Sequence, residues 1–232
     1  MSLNQGRPNT TFVSINLRSM TMKDFWNDRY NQEQMVYGAE PNEFFREQLQ
    51  FLRPGKLLLP AEGEGRNAVY AALKGWQVTA FDFSEAGRKK AMALAKQRGV
   101  PLNYQVTDAA QFSCEPESQV AVALIYAHFP PALRQQLHQK VINWLTPGGT
   151  VILEAFHPYQ LSYSSGGPKD ERMLYTAEVL QDDFKLLDIK LLQELDIHLH
   201  EGPYHSGAGY ITRMVAQKRT DNQENRNSKT KM

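Results

Sequence analysis

The stretch Leu57-Leu58-Leu59-Pro60-Ala61-Glu62-Gly63-Glu64-Gly65-Arg66-Asn67 decides the fold. Three leucines read as a short buried strand over 57–59. Gly63 and Gly65 then allow a tight turn, and 65–74 turns helical. A strand passing through a glycine turn into a helix begins a βαβ unit. Downstream the alternation repeats. Strands are expected over 77–81, 102–106, 120–125 and 150–156. Helices are expected over 84–98, with Ser84 as N-cap and Gly99 closing it, and over 131–145, stopped by Pro147-Gly148-Gly149. Near the end 176–183 reads as a helix. The strands 191–200 and 209–217 follow, and their connection, 201–208, is too short for a crossover helix, so they pair antiparallel. The expectation is an α/β fold: a doubly wound, mostly parallel seven-stranded sheet with helices on both faces and a C-terminal antiparallel hairpin.

Upstream, Phe25, Trp26, Tyr30, Met35 and Tyr37 recur with a spacing that predicts a short helix with an aromatic face over 23–37. A second helix opens near Pro41 and runs to about 52. The division expected is a flexible arm over 1–20, a single domain over 21–217 whose first part, 21–53, forms a helical lid, and a disordered polar tail over 218–232.

Composition narrows the class. The chain has 232 residues, 41% hydrophobic and 22% charged, as in a soluble globular protein. No apolar run approaches the roughly 18 residues of a membrane helix, and residues 1–20 lack the apolar core of a secretory leader. The single cysteine, Cys114, excludes an intramolecular disulfide and an all-cysteine metal site, and a reducing cytoplasm is the expected setting. Of 26 Lys and Arg and 25 Asp and Glu, the tail from Lys218 holds five and two, so the body is left with 21 and 23. A mildly acidic body lacks the basic face a nucleic-acid protein needs, and no nucleic-acid or membrane partner is expected.

The chemistry gathers at the strand ends. Gly63 to Ala68 matches G-x-G-x-x-A, so a nicotinamide dinucleotide is one candidate ligand. Asp82 follows the strand 77–81, where a carboxylate can accept both hydroxyls of a ribose. Glu62 and Glu64 bracket the loop and repel phosphate. They suit S-adenosylmethionine, which has no phosphate and carries a sulfonium and an ammonium. Asp108, after 102–106, can accept from an adenine amino group, with Phe112 beside the ring. His128, His157 and His205 are candidate bases or positioning groups, and Arg29 and Arg172 candidate holders of an anionic substrate. His198 and His200 share a strand face at metal-ligand spacing, but no third ligand accompanies them and no metal is expected. Cys114 has no cationic neighbour in sequence and is expected to be inert.

These residues resemble a family. Asp24-Phe25-Trp26-Asn27-Asp28-Arg29-Tyr30, the stretch Val36 to Phe44, the run Pro60 to Asn67 and Leu145-Thr146-Pro147-Gly148-Gly149 are similar to class I S-adenosylmethionine-dependent methyltransferases, within them the tellurite-resistance and thiopurine methyltransferase-like branch. The resemblance implies S-adenosylmethionine as cofactor. It implies that Ala61, Glu62, Gly63 and Gly65 hold its methionine part, with Asn67 beside them. Asp82, Phe83 and Ser84 would hold the ribose, Asp108 and Ala109 the adenine. Tyr126 would face the cofactor from below, and Trp26 and Tyr37 would close over it. The implied activity is methyl transfer to a small soft acceptor, a thiol or a metalloid oxyanion, by a monomer or weak homodimer, with His205, Arg29 and His157 as candidate catalytic groups. A nicotinamide-dependent oxidoreductase and a non-enzymatic S-adenosylmethionine sensor are the competing readings.

Overall fold

Seven strands hydrogen-bond in the order β3-β2-β1-β4-β5-β7-β6. They are β1 (Lys56–Pro60), β2 (Gln77–Asp82), β3 (Asn103–Val106), β4 (Gln119–Ile125), β5 (Leu145–Phe156), β6 (Asp188–His200) and β7 (Ser206–Gln217). The structure, a computed structural model, describes residues 21–220. The arm 1–20 lies outside the described residues, as does most of the tail. The first five strands run parallel, and β7 runs antiparallel between β5 and β6. The expected architecture is therefore the one observed.

Helices cover both faces: α1 (Met22–Tyr30), α2 (Glu43–Leu49), α3 (Arg66–Leu73), α4 (Glu85–Arg98), α5 (Pro131–Trp144) and α6 (Ala177–Asp183). Strand alternation sorts the core. Leu58, Val122 and Leu124 point to the face where Leu137 and Val141 of α5 pack. Leu57, Leu59, Ala121 and Ala123 point to the other, against Phe45 of α2 and Ala68 of α3. Ser84 caps α4 by accepting from the Gly87 amide, and Gly99 ends it in the left-handed conformation, both as the sequence indicates.

Several boundaries differ from expectation, among them α2, which is Glu43–Leu49 and shorter at both ends. The aromatic helix stops at Tyr30 because the amides of Val36 and Tyr37 are drawn to the Glu64 carboxylate instead. Helix α5 ends at Trp144, before the Pro147-Gly148-Gly149 stop, because 145–149 already pairs: Gly148 donates to the Lys218 carbonyl and Lys218 to the Gly149 carbonyl. The hairpin strands are longer than expected, so their connection shrinks to 201–205.

Strand order reverses between β1 and β4, and this topological switch point is where open α/β sheets bind ligands at their carboxyl ends. The first residue past each strand, Ala61 and Tyr126, has φ +52°. Non-glycine residues in that region store strain that clusters at functional sites.

Candidate functional site

Past β1 the chain turns through Ala61 to Gly65 before α3. The Glu62 carboxylate folds back and accepts from the Ala68 amide at 2.8 Å and from Asn67 Nδ2 at 3.4 Å. It therefore caps the N-terminus of α3, where Gly65 offers no side chain to do so. Burial pushes Glu62 up to about 7, against the pull of these hydrogen bonds. Glu64 turns the other way, accepting from Val36 and Tyr37 and pairing with Lys90 at 2.8 Å. The two glutamates that bracket the loop thus do different work, and Glu64 is already neutralised.

The space beside each glycine is used by the protein. A Cβ on Gly63 would lie 2.5 Å from the Tyr30 hydroxyl, and one on Gly65 would lie 2.5 Å from Ala91 Cβ of α4. Gly65 serves close helix packing. Gly63 lets Tyr30 seat on the loop.

Asp82 ends β2, buried. One oxygen accepts from the Ser84 amide at 2.8 Å and the other from Gly63 at 3.2 Å. Each carboxylate oxygen has a second lone pair, so a diol can still be accepted. Burial raises Asp82 to about 6. Phe83 is half-buried next to it, and the Ser84 hydroxyl donates to Asn27 Oδ1 at 2.7 Å, which ties α1 to the start of α4. Asp108 is exposed and closes a turn by accepting from Ala110 at 2.8 Å, with Ala109 buried next to it. Phe112 does not border this site. It stacks on Phe81 at 4.1 Å in the core.

On the other side of the switch point lies an aromatic box. Tyr37 is its hub, with ring centroids 4.4 Å from His205, 6.3 Å from Trp26 and 6.4 Å from Tyr30. Arg29 donates to the Tyr37 hydroxyl at 3.2 Å, and its guanidinium sits over Tyr204 at 4.4 Å and over Phe25 and Trp26. Tyr126 lies 4.5 Å from His205. Its hydroxyl is buried without a hydrogen-bond partner among the described residues, and burial together with the Glu154 charge holds it well above the ordinary phenol range.

A buried polar network, not anticipated from the sequence, joins the two halves. Asn42 Nδ2 donates to Glu154 at 2.6 Å and to Glu201 at 2.8 Å. Arg66 donates to Glu201 at 2.7 Å and to the Tyr37 carbonyl at 3.0 Å. Arg213 pairs with Glu154 at 2.6 Å. Asn67 accepts from the Asn42 amide at 2.9 Å. Burial opposes ionisation of Glu201, but His205 and Arg66 hold it down at about 2. Glu154, buried inside the apolar run 151–156, is the one member whose sequence context signalled a partner.

Other candidates stand apart. His157 caps the turn after β5, accepting from the Tyr159 amide at 3.1 Å, and its other nitrogen faces Glu194 at 3.4 Å. Its ring neighbours are Tyr159 and Tyr210, so it is not brought to His205. His128 donates to the Met173 carbonyl at 2.7 Å and accepts from the Phe156 amide at 3.2 Å, which occupies both nitrogens. Arg172 is paired with Asp170 on the surface. Cys114 is half-buried beside Ser118 and Gln119, and burial raises its thiol. The His198 and His200 rings lie tilted, with centroids 4.6 Å apart; among the described residues no cluster of three or more metal-ligating side chains forms.

The donor set fits one cofactor class better than the other. A pyrophosphate binds the bare amides of a helix N-terminus, and here Glu62 fills that position. A cofactor without phosphate and with cationic groups suits a strand-end loop edged by Glu62 and Asp82, two carboxylates whose burial opposes their ionisation.

Comparisons agree. Residues 60–149 match the family described as a methyltransferase domain. Among solved structures, a S-adenosylmethionine-dependent methyltransferase from Methanosarcina mazei is 16% identical, with TM-score 0.62, over 78% of this chain and 100% of that one. A structure described for the conversion of a disulfide bond into a thioacetal group during echinomycin biosynthesis is 15% identical, with TM-score 0.68, over 91% of this chain and 99% of that one. TehB from Haemophilus influenzae is 15% identical, with TM-score 0.63, over 85% and 67%. No curated protein matches. The chain thus shares the Rossmann-like fold of S-adenosylmethionine-dependent methyltransferases, and its residues 60–149 carry the similarity to a methyltransferase domain. Among the described residues no helix is long and apolar enough to cross a membrane.

Proposed function

We propose that the protein methylates a small soft acceptor, a thiol or a metalloid oxyanion, in the cytoplasm. In this reading it works as a monomer or weak homodimer, with no nucleic-acid or membrane partner, and belongs to the tellurite-resistance and thiopurine methyltransferase-like branch. The observation that carries the cofactor half is the Glu62 cap on α3, which denies the helix to a pyrophosphate. When bound, S-adenosylmethionine supplies an electrophilic methyl group on a sulfonium. Asp82 holds the ribose hydroxyls, with Phe83 and Ser84 beside it, and Asp108 and Ala109 hold the adenine. Ala61, Glu62, Gly63 and Asn67 hold the methionine part. Residues 21–53 act as a lid of the domain 21–217, in which Trp26, Tyr30 and Tyr37 exclude water and face the cation at about 0.5–2 kcal/mol per contact. Arg29 and the aromatic box receive the acceptor. Orientation and desolvation of this kind supply about 7–11 kcal/mol of a transfer barrier. The sulfur chemistry in the description of one structural relative supports a soft acceptor.

Calorimetric titration with S-adenosylmethionine, with NAD as control, tests the cofactor. Micromolar binding of the former alone is expected, and binding of NAD in its place would overturn the reading. A panel of thiols and oxyanions, scored by formation of S-adenosylhomocysteine, tests the acceptor class.

A further inference from the structure

His205 has a setting that none of the other five histidines shares. It is buried at the carboxyl end of the sheet, in the aromatic box, with its ring 4.4 Å from Tyr37, 4.5 Å from Tyr126 and 5.2 Å from Phe156. Its Nδ1 lies 3.4 Å from Glu201 Oε2. The pair is braced by its own backbone: Glu201 donates to the His205 carbonyl at 2.8 Å, and His205 to that of Gly202 at 3.3 Å. Glu201 is fixed again by Arg66 and Asn42. Its orientation is thus set from three directions, while His205 Nε2 makes no hydrogen bond among the described residues. Gly166 packs beside that edge of the ring without a side chain: a Cβ there would stand 3.3 Å from Nε2 and 2.8 Å from Cδ2.

A carboxylate at Nδ1 fixes the tautomer whose Nε2 carries a lone pair, and it stabilises the imidazolium that forms when that lone pair takes a proton. We propose that His205 is the general base of the reaction, oriented by Glu201, and that the acceptor arrives with a proton on its nucleophilic atom. This deepens, and rests on, the methyl-transfer reading. It selects the protic acceptor, such as a thiol, over an already ionised oxyanion. The step balances without a further reagent. His205 Nε2 takes the acceptor proton while the acceptor lone pair bonds to the methyl carbon. The carbon–sulfur bond breaks with its electrons left on sulfur, which becomes a neutral thioether, and the imidazolium later loses its proton to water.

The surrounding charges are consistent with a neutral resting base. Burial lowers His205 from its ordinary value, and Arg66 and Arg29 work in the same direction against Glu201. His128 also lies in its field. Tyr37 and Tyr126 are both raised, mainly by burial, and stay neutral phenols.

Two measurements test this. The first is the ¹⁵N tautomer of His205 by NMR in the full chain bound to S-adenosylmethionine at pH 7.5. The Nδ1–H form with a bare Nε2 is expected; an Nε2–H tautomer or an imidazolium would overturn the proposal whatever the acceptor. The second compares two thiol probes at pH 7: 2-mercaptoethanol, which is protonated, and 5-mercapto-2-nitrobenzoate, which is ionised. His205→Gln should lower kcat on the protonated thiol by about 10²–10⁴, at least tenfold more than on the ionised one. Glu201→Gln should lower it in the same differential way by about tenfold. Equal losses on both probes, or a wild type that methylates only the ionised thiol, overturn it. Failure of the wild type to bind S-adenosylmethionine is a separate result and would count against the methyltransferase reading itself.

Discussion

Among the described residues, two histidine–carboxylate pairs have both partners largely covered. His138 Nδ1 lies 2.7 Å from Asp183, between α5 and α6, and Arg134 closes on the same carboxylate at 2.7 Å. The His138 ring is fully enclosed, 4.6 Å from Phe184 and 6.0 Å from Tyr175, with its Nε2 unpartnered. His205 and Glu201 are looser, at 3.4 Å, and lie at the carboxyl end of the sheet beside strained backbone. The shorter pair is the less reactive one. No reactant has a route to His138, so its hydrogen bond is spent on holding two helices together. Both histidines keep Nε2 unbonded and both carboxylates are held by an arginine; what separates His205 is its place at the carboxyl end of the sheet, among the aromatic side chains of the candidate site. Chemistry follows access; hydrogen-bond length alone does not identify it.

The largest expected effect breaks the structural pair. Asp183→Ala strands a buried guanidinium, and loss of one partner of a buried ion pair costs about 3–5 kcal/mol. Urea denaturation should show that drop. S-adenosylmethionine affinity of the folded fraction should stay within about twofold, because α6 lies away from the loop. A parallel loss of cofactor affinity would mean that the two regions are coupled.

A smaller effect, confined to the site, follows from Asp82→Ala. Affinity for S-adenosylmethionine should fall more than tenfold, about 1.4 kcal/mol or more, with circular dichroism unchanged. Unaltered affinity would remove the ribose role. Gly65→Ala sharpens the contrast from the other side. Its Cβ meets Ala91 and its φ is +82°, so it should cost about 1–3 kcal/mol of stability through overpacking. The expected readout is a lower urea midpoint, with no selective loss of cofactor affinity in the folded protein.

Much of this was legible in sequence wherever the cause is local. The glycine turn, the Ser84 cap, the Gly99 stop and the hairpin all rest on neighbouring residues, and so does the position of Asp82 at a strand end. The polar network was not legible, because its bonds span 112 residues from Asn42 to Glu154, 135 from Arg66 to Glu201 and 159 from Asn42 to Glu201. No local pattern encodes such pairings. His157 and Arg172 stand where a strand-end site would place them, but nearer partners compete: the Tyr159 amide for one, Asp170 for the other. Glu64 was grouped with Glu62 on proximity. Only the fold shows that Lys90 and the amides of 36 and 37 take it away.

The two regions should also answer pH in opposite senses. Asp183 has a lowered pKa: burial acts to raise it, but His138 and Arg134 outweigh that. Its contribution to stability is present above the ordinary carboxylate range and is lost as pH falls through the native value. Asp82 and Glu62 are raised by burial, to about 6 and about 7. Over that window the native state binds more protons than the unfolded one, so their ionisation weakens the free protein as pH rises from about 4 to 7. A cationic cofactor reverses the balance by favouring the ionised forms. An acid with pKa near 6 is about one quarter ionised at pH 5.5 and almost fully ionised at 7.5, so S-adenosylmethionine affinity should tighten about fourfold between them through Asp82 alone. Binding should release protons, which calorimetry in buffers of different ionisation enthalpy can count. In Asp82→Asn the remaining pH dependence should shift toward the Glu62 value. A flat affinity profile in the wild type would mean that both carboxylates stay clear of the cofactor's positive charge, and the distinction drawn here between a charge-hungry loop and a charge-satisfied helix pair would fail.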